Sequence, residues 1–308
     1  MIVGLLGWLW ISPTIEQVEE NAAKKEDMNV LNNPAVEQVI PWNVKLLNPQ
    51  TSQNKNSTNE NRKVKVAILD SGINKDHEDL VGVVKKQYNA ISPEEPVIDD
   101  FGHGTAIAGI IGANNNDIGV LGLNSSGVEL YDVKVLDAKG KGNIDYLVDG
   151  IEWSIKEEVN IINISSGITS DKEELRRVID KAVSSGIMIV AAAGNTYGTG
   201  VEYPAKYDGV LSINSINKDF KRPSSAARGK IDYAAPGVDI VSTNHSGGYG
   251  SFTGTSFAAA HATAVISLYL NDSRNVFNSD ELLETIHAEN HHNFSEEQQG
   301  KGLITYKP

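Results

Sequence analysis

Between Val64 and Asn195 the chain alternates short β-branched runs with segments of helical spacing, and that alternation leaves few architectures open. Val64-Lys65-Val66-Ala67-Ile68-Leu69 reads as a buried strand ending in Asp70-Ser71-Gly72, with an acid at its carboxyl end. His103 opens a helix, because Ile107, Ile110 and Ile111 follow it at helical spacing. Strands are expected near Leu130 to Leu136, Asn160 to Ser165 and Ile187 to Ala193. The helices Ile144 to Glu157 and Lys172 to Ser184 fall between them. Strands and helices of these lengths in alternation make an α/β fold, a parallel sheet covered on both faces. Sites in such sheets gather at the carboxyl ends of the strands, where Asp70 and Asn195 both fall.

Late in the chain, the turn Gly247-Gly248-Tyr249-Gly250 gives way to an apolar helix expected from Phe257 to Leu270. Gly254-Thr255-Ser256 stands at the junction. A serine there has its hydroxyl at the first helical turn, where unpaired N–H groups and the positive end of the helix dipole favour developing negative charge. Such a serine is either an ordinary N-cap or an activated nucleophile. The order of Asp70, His103 and Ser256, each beside small residues, favours the second, since it is one of the known chain orders of a serine triad.

Four segments carry a resemblance. Asp70-Ser71-Gly72, Gly102-His103-Gly104-Thr105, Ala193-Gly194-Asn195 and Gly254-Thr255-Ser256 with its Ala-rich helix resemble the signatures of the subtilisin-like serine proteases. The likeness runs from about Gln38 to Tyr306 and includes Tyr203-Pro204-Ala205-Lys206-Tyr207 and Ala235-Pro236-Gly237. It implies a subtilisin-like three-layer α/β/α sandwich with a mostly parallel central sheet. It also implies a serine endopeptidase in which Ser256 is the nucleophile, His103 the base and Asp70 the residue that orients it, with Asn195 in the oxyanion hole. Two positions depart from the family. Phe257 and Ala260 stand where Met and Pro are usual, and alanine is expected to leave a straighter helix without loss of chemistry. His77, outside the Gly-His-Gly-Thr context, is expected to be structural.

The resemblance extends to substrate and metal. Peptide is expected to add as a strand between the segments holding Gly140 and Gly142 and those holding Ser165, Ser166 and Gly167. Glu202 falls where many members carry glycine, at the base of the primary specificity pocket, and implies a preference for Lys or Arg before the scissile bond. Gln38, Asp79 and Asn116, with carbonyls of Asn114, Ile118 and Val120, match a structural calcium site. His287, His291 and His292 are expected to be a solvated helix end rather than metal ligands.

Composition narrows the partners. A net charge of −13 argues against nucleic acid and anionic membranes and welcomes a cationic substrate. With no cysteine, disulfides and thiolate metal sites are excluded. The apolar start, Met1 to Ile11, is too short to span a bilayer. Residues 1–36 resemble the tail of an inhibitory pro-segment, with Lys24-Lys25 as a maturation site, and 37–308 the catalytic domain; Thr51 to Asn61 reads as an exposed loop. The expected protein is a monomer, secreted or at the cell surface rather than cytoplasmic. It acts on peptides or precursor proteins and is restrained by its own pro-segment. Its role is either leader-peptide processing, as for lantibiotics, or broad extracellular digestion. From other classes, a silent pseudoprotease serving as a binding module and a flavodoxin-like ligand-binding domain share the sheet pattern. The first has no use for all four site residues, and the second leaves the Gly-Thr-Ser helix without a purpose.

Overall fold

A computed structural model describes residues 37–48, 63–272, 279–290 and 295–308. The proposed pro-segment, Lys24-Lys25, the Thr51 to Asn61 run, His291 and His292 lie outside the described residues.

Among the described residues, nine strands form one sheet. In chain order they are β1 (Val64–Asp70), β2 (Val84–Asn89), β3 (Val128–Lys134), β4 (Ile161–Ile164), β5 (Met188–Ala192), β6 (Val210–Ile216), β7 (Tyr233–Pro236), β10 (His287–Glu289) and β11 (Leu303–Thr305), and across the sheet they run β10-β11-β7-β6-β5-β4-β1-β3-β2. All neighbours pair in parallel except β10 with β11. The hairpin of β8 (Ile240–Thr243) and β9 (Tyr249–Phe252) stands apart.

The near-continuous apolar reading of β1 follows from burial on both faces. Val64, Val66 and Ile68 pack to one side, with Ile107, Ile110 and Ile111 of α2 (His103–Gly112) and with α5 (Thr255–Asp272). Ala67 and Leu69 pack to the other, with Leu147 and Ile151 of α3 (Ile144–Lys156) and Leu175, Val178 and Ile179 of α4 (Glu173–Ser184). The result is the expected three-layer α/β/α sandwich. Short helices α1 (Trp42–Leu47), α6 (Ser279–Thr285) and α7 (Glu296–Gln299) complete it. No helix among the described residues is long and apolar enough to cross a membrane.

Two expectations need correction. The helix expected to start at Phe257 starts at Thr255 and continues to Asp272, so Ser256 lies inside its first turn. Its sequence is apolar nearly all round because almost every residue is buried, which is the pattern of a central helix rather than a surface one. His287 is not at a helix end: it lies in edge strand β10, with Nδ1 3.2 Å from Thr305 Oγ1. His77 is buried, its Nε2 2.7 Å from the Gly248 carbonyl, and its Nδ1 accepts the Asp79 N–H. That is the structural role expected of it.

β1 is flanked by β3 on one side and β4 on the other, and the chain visits β3 before crossing back to β4. Strand order therefore reverses beside β1, and the crevice at the carboxyl ends of β1 and β4 is where such a sheet holds its ligand.

Candidate active site

β1 ends on Asp70, which is 1% exposed. A carboxylate so deep needs several donors to offset its desolvation. It has them: the Ser71 N–H reaches Oδ1 at 2.8 Å, and His103 Nδ1 lies 2.9 Å from each oxygen. His103 opens α2, and the helix start is held in place by a second buried acid. Asp99 accepts from the N–H groups of Gly102 and Thr105 and from the Ser71 hydroxyl. Gly104 is glycine for lack of space, because a methyl group there would come 2.2 Å from the Gly72 carbonyl oxygen. The imidazole keeps 21% of its side-chain surface exposed. Burial works against its charged form, but the Asp70 carboxylate and its hydrogen bond, with the charge of Asp99, outweigh burial and raise its pKa above the usual 6.5.

From the same layer as α2, α5 brings its N-terminus to the same crevice. Phe257, the residue after Ser256, sets its ring 5.2 Å from that of His103. The Ser256 hydroxyl is almost buried and donates to the Ser165 carbonyl, at the end of β4, at 3.0 Å. Asn195, three residues past β5, accepts the Thr255 N–H on Oδ1 at 3.2 Å. A backbone N–H can only donate, so the amide oxygen must face it and the NH₂ group is left to point away. That NH₂ lies against Gly254, 3.4 Å from where a side chain would begin.

Glu202 is held next to this group, against Gly194, the residue before Asn195. Ile168 and Tyr203 exchange backbone hydrogen bonds at 2.8 Å each, tying the segment after Ser165-Ser166-Gly167 to the one that carries Glu202. The Glu202 side chain then fills the gap between two glycines. Methyl groups at Gly194 and Gly167 would come 2.6 and 2.8 Å from its Oε2. Burial pushes the Glu202 pKa up from its ordinary 4.5. Among the described residues no hydrogen bond or ion pair reaches this carboxylate. On the other flank Gly140 packs under the ring of Phe101, and Gly142 backs onto the Val135 carbonyl. Phe101 is itself 45% exposed, with its ring 6.3 Å from that of His103. The sequence reading passed over it, although an aromatic two residues before the histidine was a visible signal.

A separate oxygen-rich corner forms where residues 38 and 39 meet the 114–120 loop. Gln38 Nε2 is 2.6 Å from the Asn114 carbonyl, 3.3 Å from Asn116 Oδ1 and 3.4 Å from the Val120 carbonyl. Asp79, fully buried, accepts from the Val120 N–H at 2.9 Å and from Asn116 Nδ2 at 3.2 Å. Its pKa is raised by burial, against the opposing pull of those hydrogen bonds. Ile118 lies on the same loop, its N–H 3.3 Å from Asn116 Oδ1. Turning the Gln38 amide over would add its oxygen to that set, an all-oxygen group that suits a hard divalent cation such as calcium.

Comparison with known proteins agrees with this geometry. The Subtilase family model matches residues 61–302. The chain is 39% identical over 264 residues to subtilisin amylosacchariticus of Bacillus subtilis subsp. amylosacchariticus, covering 84% of this chain but 66% of that protein. It is 38% identical over 257 residues to a thermostable alkaline protease of Halalkalibacterium halodurans, covering 83% and 67%. To a subtilisin of Bacillus pumilus it is 41% identical over 239 residues, covering 76% and 86%. A buried Asp–His pair at one strand end, a serine on the facing helix and a family match spanning most of the chain lead to one conclusion: this chain belongs to the subtilase family.

Proposed function

We propose that the protein is a serine endopeptidase that cuts peptides after Lys or Arg through an acyl-enzyme on Ser256. The observation that carries the chemistry is the contact of His103 Nδ1 with both oxygens of a buried Asp70, beside the first turn of α5. Asp70 holds the proton on Nδ1, which leaves Nε2 unprotonated and facing the crevice as a base. A rotation about the Ser256 side-chain bond takes its hydroxyl from the Ser165 carbonyl to that nitrogen. The Ser256 oxygen attacks the scissile carbonyl while His103 takes the proton, and His103 returns it to the departing amine. The oxyanion is stabilised by the free NH₂ of Asn195 and the Ser256 N–H, at the positive end of an 18-residue helix. Water then repeats the cycle on the acyl-enzyme.

Specificity rests on Glu202. Its carboxylate is half-buried and, among the described residues, without a partner, and a substrate ammonium or guanidinium supplies one. The peptide backbone adds along Gly140 and Gly142 on one side and Ser165, Ser166 and Gly167 on the other, as an extra strand. A calcium ion held by Gln38, Asp79, Asn116 and the carbonyls of Asn114, Ile118 and Val120 would fasten residues near 38 to the 114–120 loop, a stabilising role. Processing of a precursor or leader peptide fits a pocket this selective better than broad digestion does. Restraint by a pro-segment, export and a monomeric state belong to the same reading.

Labelling tests the chemistry directly. An alkyl fluorophosphonate is expected to add once per chain, with the adduct mapped to Ser256 and absent from Ser256→Ala. A chain that stays unlabelled at Ser256, with no hydrolysis of peptide substrates, would mean the pseudoprotease class instead.

A further inference from the structure

Among the described residues, five other than glycine adopt positive φ: Asp117, Glu158, Tyr197, Phe220 and Asp239. Asp tolerates this region, and a bulky ring does not. Of the two aromatics, Phe220 packs against the core, which compensates its backbone. Tyr197, at φ 55°, has no such compensation: it is 76% exposed. A large apolar ring held in solvent on an unfavourable backbone is costly twice over, and such outliers concentrate where a ligand is gripped.

Its position says which ligand. Tyr197 stands at the tip of a tight turn that joins Asn195 to Glu202. The Thr196 hydroxyl donates to the Gly200 carbonyl at 2.6 Å, and the Thr199 N–H and hydroxyl donate to the Thr196 carbonyl at 3.1 and 2.7 Å. The Tyr197 N–H is anchored on the Ser225 carbonyl at 2.8 Å, and the loop closes where the Glu202 N–H meets the Ala193 carbonyl at 3.0 Å. The turn is thus rigid. Two residues span at most about 7 Å of chain, so the Tyr197 backbone is within one side-chain length of Asn195. Tyrosine offers a broad apolar face at little entropic cost, since only two torsions are frozen.

We propose that Tyr197 is a specificity-determining residue that lays its ring along the aliphatic stem of the substrate side chain reaching down to Glu202. The proposal rests on the endopeptidase reading above and adds a wall to its pocket. Glu202 reads the charge at the end of that side chain; Tyr197 reads its length.

Three peptidyl-coumarin amides that differ only before the scissile bond separate these roles: arginine, its neutral isostere citrulline, and alanine. In Tyr197→Gly, kcat/KM is expected to fall about tenfold for arginine and for citrulline alike, mainly through KM, and to stay within about twofold for alanine. Tyr197→Phe, which keeps the ring, is expected to match the parent. The thermal midpoint of Tyr197→Gly is expected to rise, because glycine relieves the backbone. A functional loss joined to a gain in stability is what a merely structural residue would not give. Unchanged rates on the two long substrates, or an equal fall on all three, would overturn the proposal. The parent protein tests the Glu202 reading separately: equal turnover of arginine and citrulline would sink that reading while leaving the Tyr197 comparison intact. Failure to cleave any of the three would remove both.

Discussion

Asp70 and Glu202 are two carboxylates in opposite states. Asp70 is sealed and complete, taking the Ser71 N–H and the His103 ring with almost no exposure. Glu202 is half-buried, raised in pKa by desolvation, and among the described residues without a partner for its charge. A buried carboxylate with its donors in place costs the fold little and holds a neighbour rigid. One without them costs the fold something until a cation arrives. The first region is built to be ready before substrate binds, and the second to be completed by it.

Substitutions can break this contrast at graded strength. Ser256→Ala should cost the most, on the order of a millionfold in kcat, the size known for removing the nucleophile from a subtilisin, with the Asp70–His103 pair left standing. Steady-state rates against an active-site titration would measure it. Asn195→Ala removes one oxyanion donor and should lower kcat by about 100- to 1,000-fold with KM little changed, again a magnitude established on a subtilisin. A comparable fall in both parameters would mean that Asn195 only shapes the turn. Chelation sharpens the comparison from outside the crevice. If calcium sits among Gln38, Asp79 and Asn116, stripping it from a solution held at about a hundred times the Kd removes about 2.7 kcal/mol, and the thermal midpoint should drop by several degrees. A midpoint indifferent to chelator would dismiss the site. Glu202→Gln should reduce the preference for arginine over citrulline by about tenfold, a modest figure because Glu202 keeps part of its surface exposed and solvent screens the pair.

The smallest effect is in pH. The raised pKa of His103, set by Asp70 and Asp99 against burial, means the neutral base becomes the major form at a higher pH than for an ordinary imidazole. Activity should therefore climb through a value above 6.5. The stability that the protonated ring draws from Asp70 has the opposite slope: it is fully present below 6.5 and is lost as pH rises through the raised folded value. Log kcat/KM and chemical denaturation across pH 5 to 9 would show the two trends crossing.

The sheet's centre was legible because it is buried on both faces. β1, β3, β4 and β5 announce themselves as apolar runs, and their observed bounds lie within two residues of expectation. β2 was not legible: Val84–Asn89 carries two lysines and lies at the edge, where one side meets water and no apolar run is required. The later strands are three to seven residues long, and β10 pairs only at the sheet's other edge, so His287 could not be told from a helix end. The triad expectation came from motifs in order, which survive any error in element bounds. Its hydrogen-bond support did not. Asp99, which pins the start of α2, reads in sequence as one acid among several, and only burial reveals it. Asp132 is a second such case, a fully buried carboxyl in β3 with its pKa pushed up to about 7 by desolvation, and it escaped notice inside an apolar strand.

The central contrast, one carboxylate complete and the other waiting, comes down to a ratio. The arginine and citrulline substrates should be compared from pH 4 upward, in the parent and in Glu202→Gln. Ionisation of Glu202 is predicted to make the ratio of their kcat/KM values rise with pH through a midpoint above 4.5 in the parent and to leave it flat in the variant. A ratio near one throughout, or the same rise in both proteins, would contradict the account.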